Sequence, residues 1–299
     1  MRILMTGGTG FIGKACAKFL AAQEHEIIIL TKNKKKAPLY AKVICDTDEI
    51  ANEEKIDIII NLAGSPIDKK WNEKHKEEIF NSRINTTSTI IELIKRLKTK
   101  PQLLISASTI CFQDSQENTT ITDDSSEETR FIDELCQAWE DEAKKAAELG
   151  VRLCIARLGV VLGKSGGRIK KIFPSFRSGL GKRIDDGSQY ISWVHLFDTV
   201  RAFNFFIKKQ SCSGIYNVTA PNPVTNEKFT ITMNDVLHLP TILFIPGFLI
   251  KILYGEMGET LLLNSYNIPP NKLLDEGFRF EFNTIEEALT QILKKKKKF

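Results

Sequence analysis

The 299-residue chain lacks the spacings that mark a metal or redox centre. Its six cysteines stand at 16, 45, 111, 136, 154 and 212, with no CxxC pair. Neither a zinc ribbon nor a thioredoxin-type site is indicated, and no metal is expected. Six scattered cysteines in so long a chain do not make a disulfide scaffold, so a reducing, cytoplasmic setting is expected. Long apolar runs are also missing. The greasiest stretch, 242–254, is broken by Pro246 and Lys251 and falls short of the roughly 18 apolar residues of a spanning helix. The apolar segment at 2–5 runs straight into glycines, too short for a signal peptide. No membrane association is expected. Nor is there an excess of charge in the body: Lys+Arg exceeds Asp+Glu by 42 to 37, and the five lysines at 294–298 equal that excess. A neutral body argues against a nucleic-acid-binding face, and the lysine run reads as a solvated end. Hydrophobic content of 42% and charged content of 26% exclude a disordered chain.

What is present is a rhythm. Apolar strand-like runs at 3–6, 26–31, 56–62, 103–106 and 152–157 alternate with helical patterns at 11–23, 74–97 and 128–149. The consecutive Ile58, Ile59 and Ile60 demand burial on both faces, as in a parallel sheet. The alternation predicts an α/β fold, a Rossmann-type doubly wound parallel sheet whose ligand crevice lies at the carboxyl ends of the strands. Residues 1–160 form the expected dinucleotide-binding domain, with segments near 190–220 returning to it. Residues 161–299 form mostly a smaller C-terminal substrate lobe, with a small terminal domain at about 245–292. Residues 163–187, rich in glycine and basic residues, read as a loop with little regular structure.

The strongest local signal is Thr6-Gly7-Gly8-Thr9-Gly10-Phe11-Ile12-Gly13, between the first strand and the first helix. A dinucleotide loop needs glycine at a tight turn, at the approach of backbone to pyrophosphate, and at close helix–strand packing. Gly7, Gly10 and Gly13 fit these three tasks. The helix opening at Phe11 offers free N–H groups and a positive dipole end to phosphates. The spacing is GxxGxxG rather than GxGxxG. At the end of the second strand, an acid would bind the ribose hydroxyl of NAD and a cation the extra phosphate of NADP. The chain reads Thr31-Lys32-Asn33-Lys34-Lys35-Lys36 there, with no acid. NADP(H) is therefore favoured over NAD(H) as the cofactor.

With these motifs in place, the chain resembles the extended short-chain dehydrogenases/reductases. More narrowly, it resembles their atypical "epimerase family protein" subgroup, also labelled nucleoside-diphosphate-sugar epimerase. Matching stretches run along almost its whole length: TGGTGFIG at 6–13, NLAG at 61–64, SRI at 82–84, SAS at 106–108, WE at 139–140, RLGVVLG at 157–163, SWVH at 192–195, TAPNPVT at 219–225 and PPNKLLDEGFRFEF at 269–282. The resemblance implies that Leu62, Ala63 and Gly64 pass close to the cofactor's ribose and pyrophosphate. It implies that Arg83 reaches the cofactor, the alternative being a surface arginine. It places the Ser108 hydroxyl beside the reacting carbon, with Thr109 as the alternative. Arg157 and Gly159 would flank the nicotinamide side, and Trp193, His195 and Asp198 would lie near the inter-lobe cleft. The sequence departs from the subgroup after Ser108, where a Gly-Tyr-Tyr-Gly-like stretch gives way to Thr109-Ile110-Cys111-Phe112.

A further lack bears on chemistry. Ordinary members of the superfamily pair a tyrosine with a lysine four residues on. None of the five tyrosines here, at 40, 190, 216, 254 and 266, has lysine at that position. On the helix that should carry the pair, Ile132, Cys136 and Glu140 share one face by their spacing. Either a thiol and a carboxylate replace the pair, or these residues are helix packing. Two functions follow as expectations: an NADP-dependent oxidoreductase or epimerase acting on a small substrate, nucleotide-linked or not, or a cofactor-binding sensor or scaffold without turnover. A homodimer is compatible with either.

Overall fold

The computed structural model describes residues 1–110, 130–239 and 243–293. Strand β1 (Arg2–Thr6) leads through the glycine loop into α1 (Phe11–Ala21), then β2 (Glu26–Leu30), β3 (Lys42–Ile44), β4 (Ile58–Asn61), α2 (Glu73–Arg96), β5 (Leu103–Thr109), α3 (Phe131–Glu148) and β6 (Arg152–Leu158). Then come β7 (Val160–Gly163), α4 (Gly167–Arg177), β8 (Lys182–Ile184), β9 (Tyr190–Ile191), β10 (Trp193–His195), α5 (Leu196–Lys208) and β11 (Gly214–Val218). The C-terminal part adds β12 (Val224–Thr225), α6 (Asn226–Leu237), β13 (Leu243–Ile245), α7 (Gly247–Tyr254), the single turn α8 (Glu256–Gly258), α9 (Asn271–Asp275) and α10 (Ile285–Leu293).

Seven strands form one sheet in the order β11-β6-β5-β4-β1-β2-β3, and every pairing is parallel. This is the doubly wound arrangement expected from the sequence. The isoleucine-rich strands explain it. Alternate residues of each strand feed opposite faces, so a two-sided burial needs apolar residues at every position. On one face Ile3, Met5 and Ile29 meet Cys16 and Leu20 of α1 and Phe203 and Phe206 of α5. On the other, Leu4, Ile28, Ile59 and Leu104 meet Ile90 and Ile94 of α2 and Ala143 of α3. Strands β3 and β11, short or with polar interruptions, complete the sheet's edges and were not apparent from periodicity. The strand order reverses between β1 and β4, which opens the crevice above the glycine loop.

The segment 163–187 corrects the expectation of a loop. It carries α4, because Ile169, Ile172, Phe173 and Phe176 recur three and four residues apart and pack into the C-terminal core around Trp193, Phe229 and Met233. Its glycines are confined to the ends, and Pro174 sits inside the helix. In the same core Ile285, Leu289 and Ile292 of α10 pack with α6. The expected start of α3 at 128–129, residues 111–114 beyond β5, and the lysines at 294–298 lie outside the described residues.

Candidate functional site

The glycine loop divides its tasks as geometry requires. Gly7 has φ of +65°, and a Cβ there would stand 2.5 Å from the carbonyl oxygen of Leu62. Left-handed backbone and a closely packed neighbouring strand both demand glycine. A Cβ on Gly13 would stand 2.2 Å from the Gly7 carbonyl oxygen, so this glycine lets α1 press against the loop. Gly10 differs: a Cβ there would meet only the Gly7 carbonyl oxygen, at 3.1 Å, because the residue faces the open cleft. No side chain caps α1, which leaves the first amide groups of the helix, at Phe11, Ile12 and Gly13, without intrahelical partners.

A hydrogen-bonded chain fixes the loop to the strands behind it. The Thr6 hydroxyl donates to Asn61 Oδ1 at 2.6 Å and accepts from the amides of Leu62 and Ala63 at 3.1 and 3.2 Å. Asn61 Nδ2 donates to the Thr87 hydroxyl at 2.9 Å, which also accepts from Trp139 Nε1 at 3.1 Å. Thr6, Asn61 and Thr87 are all fully buried, so every member is satisfied within the network, which stiffens it. The carboxyl ends of β1 and β4 are thus joined to α2 and α3 by side chains distant in sequence.

Above this floor lies a cleft of about 430 Å³. Gly7, Gly10, Phe11, Ile12 and Gly13 line one side. Leu62, Gly64 and Arg83 line another, and Ser108, Thr109 and Gly159 close the end. Ile132, Leu135 and Trp139 supply an apolar wall from α3. Eleven of the residues singled out for cofactor or catalysis from the sequence are brought together here. Thr9 stands half-buried in the loop, and Ala63 is held by its amide to Thr6. Thr31 and Lys32 stand just beyond the end of β2, outside the cleft's lining. Thr31 is half-buried and its hydroxyl accepts from the Asn33 amide at 3.2 Å, while Lys32 is exposed beside the turn Lys34–Lys36.

Arg83 is not a surface arginine. Its guanidinium lies over Gly64, where a Cβ would come within 2.8 Å of Cζ, and 5.2 Å from the Trp139 ring. Its hydrogen bond goes to the carbonyl of Ile79, one turn back, at 3.0 Å. Among the described residues no carboxylate pairs with it. Burial pushes its pKa down to about 10, still well above neutrality, so it is a half-buried cation facing the cleft.

At the far end Ser108 and Arg157 are register partners on β5 and β6, so their side chains leave the sheet on the same face. Glu140, from the buried side of α3, meets both. Its Oε1 accepts from Ser108 Oγ at 2.7 Å and from Arg157 Nε at 2.7 Å, and its Oε2 accepts from Arg157 Nη2 at 2.8 Å. All three residues are buried. Arg157 is thus paired with Glu140 and is not among the residues that line the cleft. Cys136 is also buried, its thiol directed to the Thr109 carbonyl at 3.8 Å. Sequence spacing had placed Glu140 on a face with Ile132 and Cys136; its tie to Ser108 required the fold.

Trp193, His195 and Asp198 do not line the cleft either. Trp193 Nε1 donates to the Asn222 carbonyl at 2.9 Å. His195 Nδ1 accepts from the Phe197 amide at 3.1 Å and its Nε2 bonds Gln291 Oε1 at 3.1 Å. Asp198 accepts from the amides of Glu281 and Phe282, both at 2.9 Å. They bind the C-terminal segment to α5 because buried polar groups must find partners, and the returning chain supplies them. Sequence reasoning also missed the role of Gly166 and Gly167. A Cβ on Gly166 would stand 2.5 Å from the ring of Phe11, so this pair holds the first residue of α1 in place. Among the described residues no helix is long and apolar enough to cross a membrane, and no group of three His, Cys, Asp or Glu could hold a metal ion.

Comparison with known proteins agrees with this geometry. Residues 3–219 match the NAD dependent epimerase/dehydratase family, and residues 245–292 match a domain of unknown function, DUF1731. The chain is 35% identical to the epimerase family protein YfhF of Bacillus subtilis over 99% of both proteins. It is 34% identical to a chloroplastic epimerase family protein, the SDR39U1 homolog of Arabidopsis thaliana, over 98% of this chain and 87% of the relative. The crystal structure of human epimerase family protein SDR39U1 with NADPH superposes with a TM-score of 0.84 at 26% identity, covering 98% of this chain and 99% of that one. The glycine loop, the sheet order and these relatives together place the chain in the NAD dependent epimerase/dehydratase family, within the atypical short-chain dehydrogenase/reductase group.

Proposed function

We propose that the protein binds NADP(H) in preference to NAD(H) and acts as an oxidoreductase or epimerase of the short-chain dehydrogenase/reductase type on a small substrate. The observation that carries this reading is the half-buried Arg83 over Gly64, which pairs with no carboxylate among the described residues and lies across the cleft from the uncapped start of α1. A cation with no carboxylate partner among the described residues suits a phosphate, and the glycine surface leaves room for one. The residues therefore fit the cofactor that the family implies. Gly7, Gly10, Phe11, Ile12 and Gly13 would hold the pyrophosphate. Leu62, Ala63 and Gly64 would border the adenosine ribose, and Thr31 and Lys32 would meet the added phosphate of NADP(H). The solved human relative was crystallised with NADPH, which supports the same preference. The bound cofactor would supply hydride transfer.

The chain's own part is to position and to exclude water. Ile132, Leu135 and Trp139 keep one wall apolar, and Ser108 presents a hydroxyl at the end of the cleft. Among the described residues lining the cleft there is no tyrosine and no lysine, and this favours a second reading: a cofactor-responsive protein with little turnover. Calorimetry with NADPH and NADH tests the first step. NADPH binding at least about 10-fold tighter is expected from one charge-assisted phosphate contact. Failure to bind either nucleotide overturns the reading. Turnover of the bound cofactor with nucleotide sugars and simple alcohols then separates enzyme from sensor.

A further inference from the structure

The hydroxyl of Ser108 has one hydrogen and two acceptor lone pairs. Its hydrogen is committed. Glu140 Oε1 lies 2.7 Å away, and Glu140 is held by the Arg157 guanidinium through both of its oxygens. A carboxylate gripped in that two-pronged way is ionised and offers acceptors only. Ser108 therefore donates to it, and turning its hydrogen into the cleft would give up a charge-assisted hydrogen bond to a buried carboxylate. Among the described residues no group donates to Ser108 in return, and Ser108 is part of the cleft's lining. What it presents to the cleft is a lone pair.

We propose that Ser108, Glu140 and Arg157 form a subsite of fixed polarity, which takes a hydroxyl group of the ligand as hydrogen-bond donor and disfavours a carbonyl at the same place. Ser108 is the contacting residue. Glu140 is a positioning residue that sets the direction of the Ser108 hydrogen, and Arg157 keeps Glu140 an acceptor. The family reading alone would put a serine hydroxyl beside either an alcohol or a carbonyl; the buried carboxylate chooses the alcohol. The inference rests on the cleft being a small-molecule site, as proposed above, and names the chemical class it accepts.

Matched alcohol and ketone probes test it: cyclohexanol against cyclohexanone, and 1-phenylethanol against acetophenone. Their affinities are measured by ligand-observed NMR, with and without NADPH. In the native protein each alcohol should bind roughly 10-fold tighter than its ketone, the worth of one hydrogen bond gained and one acceptor clash avoided. In Glu140→Ala the acceptor is removed, which frees the serine hydrogen for the cleft. The preference should then vanish with alcohol and ketone both still bound, an outcome that a merely structural loss would not produce. Ser108→Ala leaves the Glu140–Arg157 pair in place and should abolish the difference between alcohol and ketone, so the test stands even where Glu140→Ala does not fold. Equal binding in the native protein, a preference for ketones, or a preference unchanged in both variants overturns the proposal. Binding of neither probe class at millimolar concentration overturns it as well. Calorimetry with NADPH on the same samples reports on the cofactor reading separately, because the probe comparison without NADPH does not depend on it.

Discussion

Arg83 and Gly64 occupy one another's space: a Cβ on Gly64 would come within 2.8 Å of Arg83 Cζ and 3.0 Å of Nη2. The glycine is what lets a long cationic side chain from α2 fold down onto the loop after β4. The guanidinium then rests between that loop and Trp139. Arg83→Ala should therefore weaken NADPH binding by at least about 10-fold, the worth of one charge-assisted contact. Gly64→Ala should weaken it as well, by displacing Arg83 with every charge retained. Calorimetry checks both, and unchanged affinity in the two variants would remove Arg83 from the site.

The three glycines of the loop should respond differently to substitution. Gly10→Val places a side chain toward open space, with only the Gly7 carbonyl oxygen nearby at 3.1 Å. NADPH binding should be lost while circular dichroism and thermal unfolding stay near the native values. Gly13→Ala, whose Cβ would stand 2.2 Å from a backbone oxygen, should lower thermal stability instead. A Gly10→Val protein that binds NADPH normally would show that the loop does not hold pyrophosphate.

Lys32 should bear on cofactor choice alone. It is exposed at the end of β2, so Lys32→Asp should leave stability within about 0.5 kcal/mol of native. The same change should remove the preference for NADPH over NADH, since a carboxylate repels the added phosphate and suits a free ribose hydroxyl. Paired titrations with the two nucleotides read this directly. An undiminished NADPH preference would move the phosphate-binding role elsewhere.

Gly166→Ala should destabilise the fold although the residue lies in a glycine-rich turn. The added carbon would stand 2.5 Å from two ring atoms of Phe11. Either the ring or the start of α1 must shift, at a cost of about 1–3 kcal/mol typical of overpacking. Chemical denaturation measures it. Because Phe11 also borders the cleft, NADPH affinity should fall in the same variant.

The pH dependence of stability should report on His195. Burial lowers its pKa below the usual value, against smaller upward pulls from Gln291 and Asp198. The native state thus favours the neutral ring, whose Nδ1 accepts from the Phe197 amide at the start of α5. Below about pH 6.5, the usual histidine value, the unfolded chain binds a proton that the folded chain resists, so stability falls as pH falls through that value. His195→Asn keeps a capping oxygen without the titration. Its unfolding free energy should lose less between pH 7 and pH 5.5 than that of the native protein. Equal slopes would mean that other groups govern the acid limb.

The sequence by itself determined the sheet and the glycine loop. Ile58 to Ile60 are apolar on both sides of the strand, as a strand buried on both faces of a sheet requires, and Gly7 and Gly13 stand where a Cβ would collide with backbone. These are local demands, written into neighbouring residues. Helix α4 was concealed because glycines and lysines dominated its surroundings, while Ile169, Ile172, Phe173 and Phe176 had no visible surface to pack on until the C-terminal core existed. The chemistry at the end of the cleft was decided by the tertiary structure alone. Ser108, Glu140 and Arg157 come from β5, α3 and β6, and only the register that sets Ser108 beside Arg157, with α3 laid across that face, turns three separate residues into one charged and directed group. The same holds for Trp193, His195 and Asp198, whose side chains are spent on the returning C-terminal segment. A buried polar side chain takes whatever partner the packed chain brings to it, and which partner arrives is a property of the whole fold.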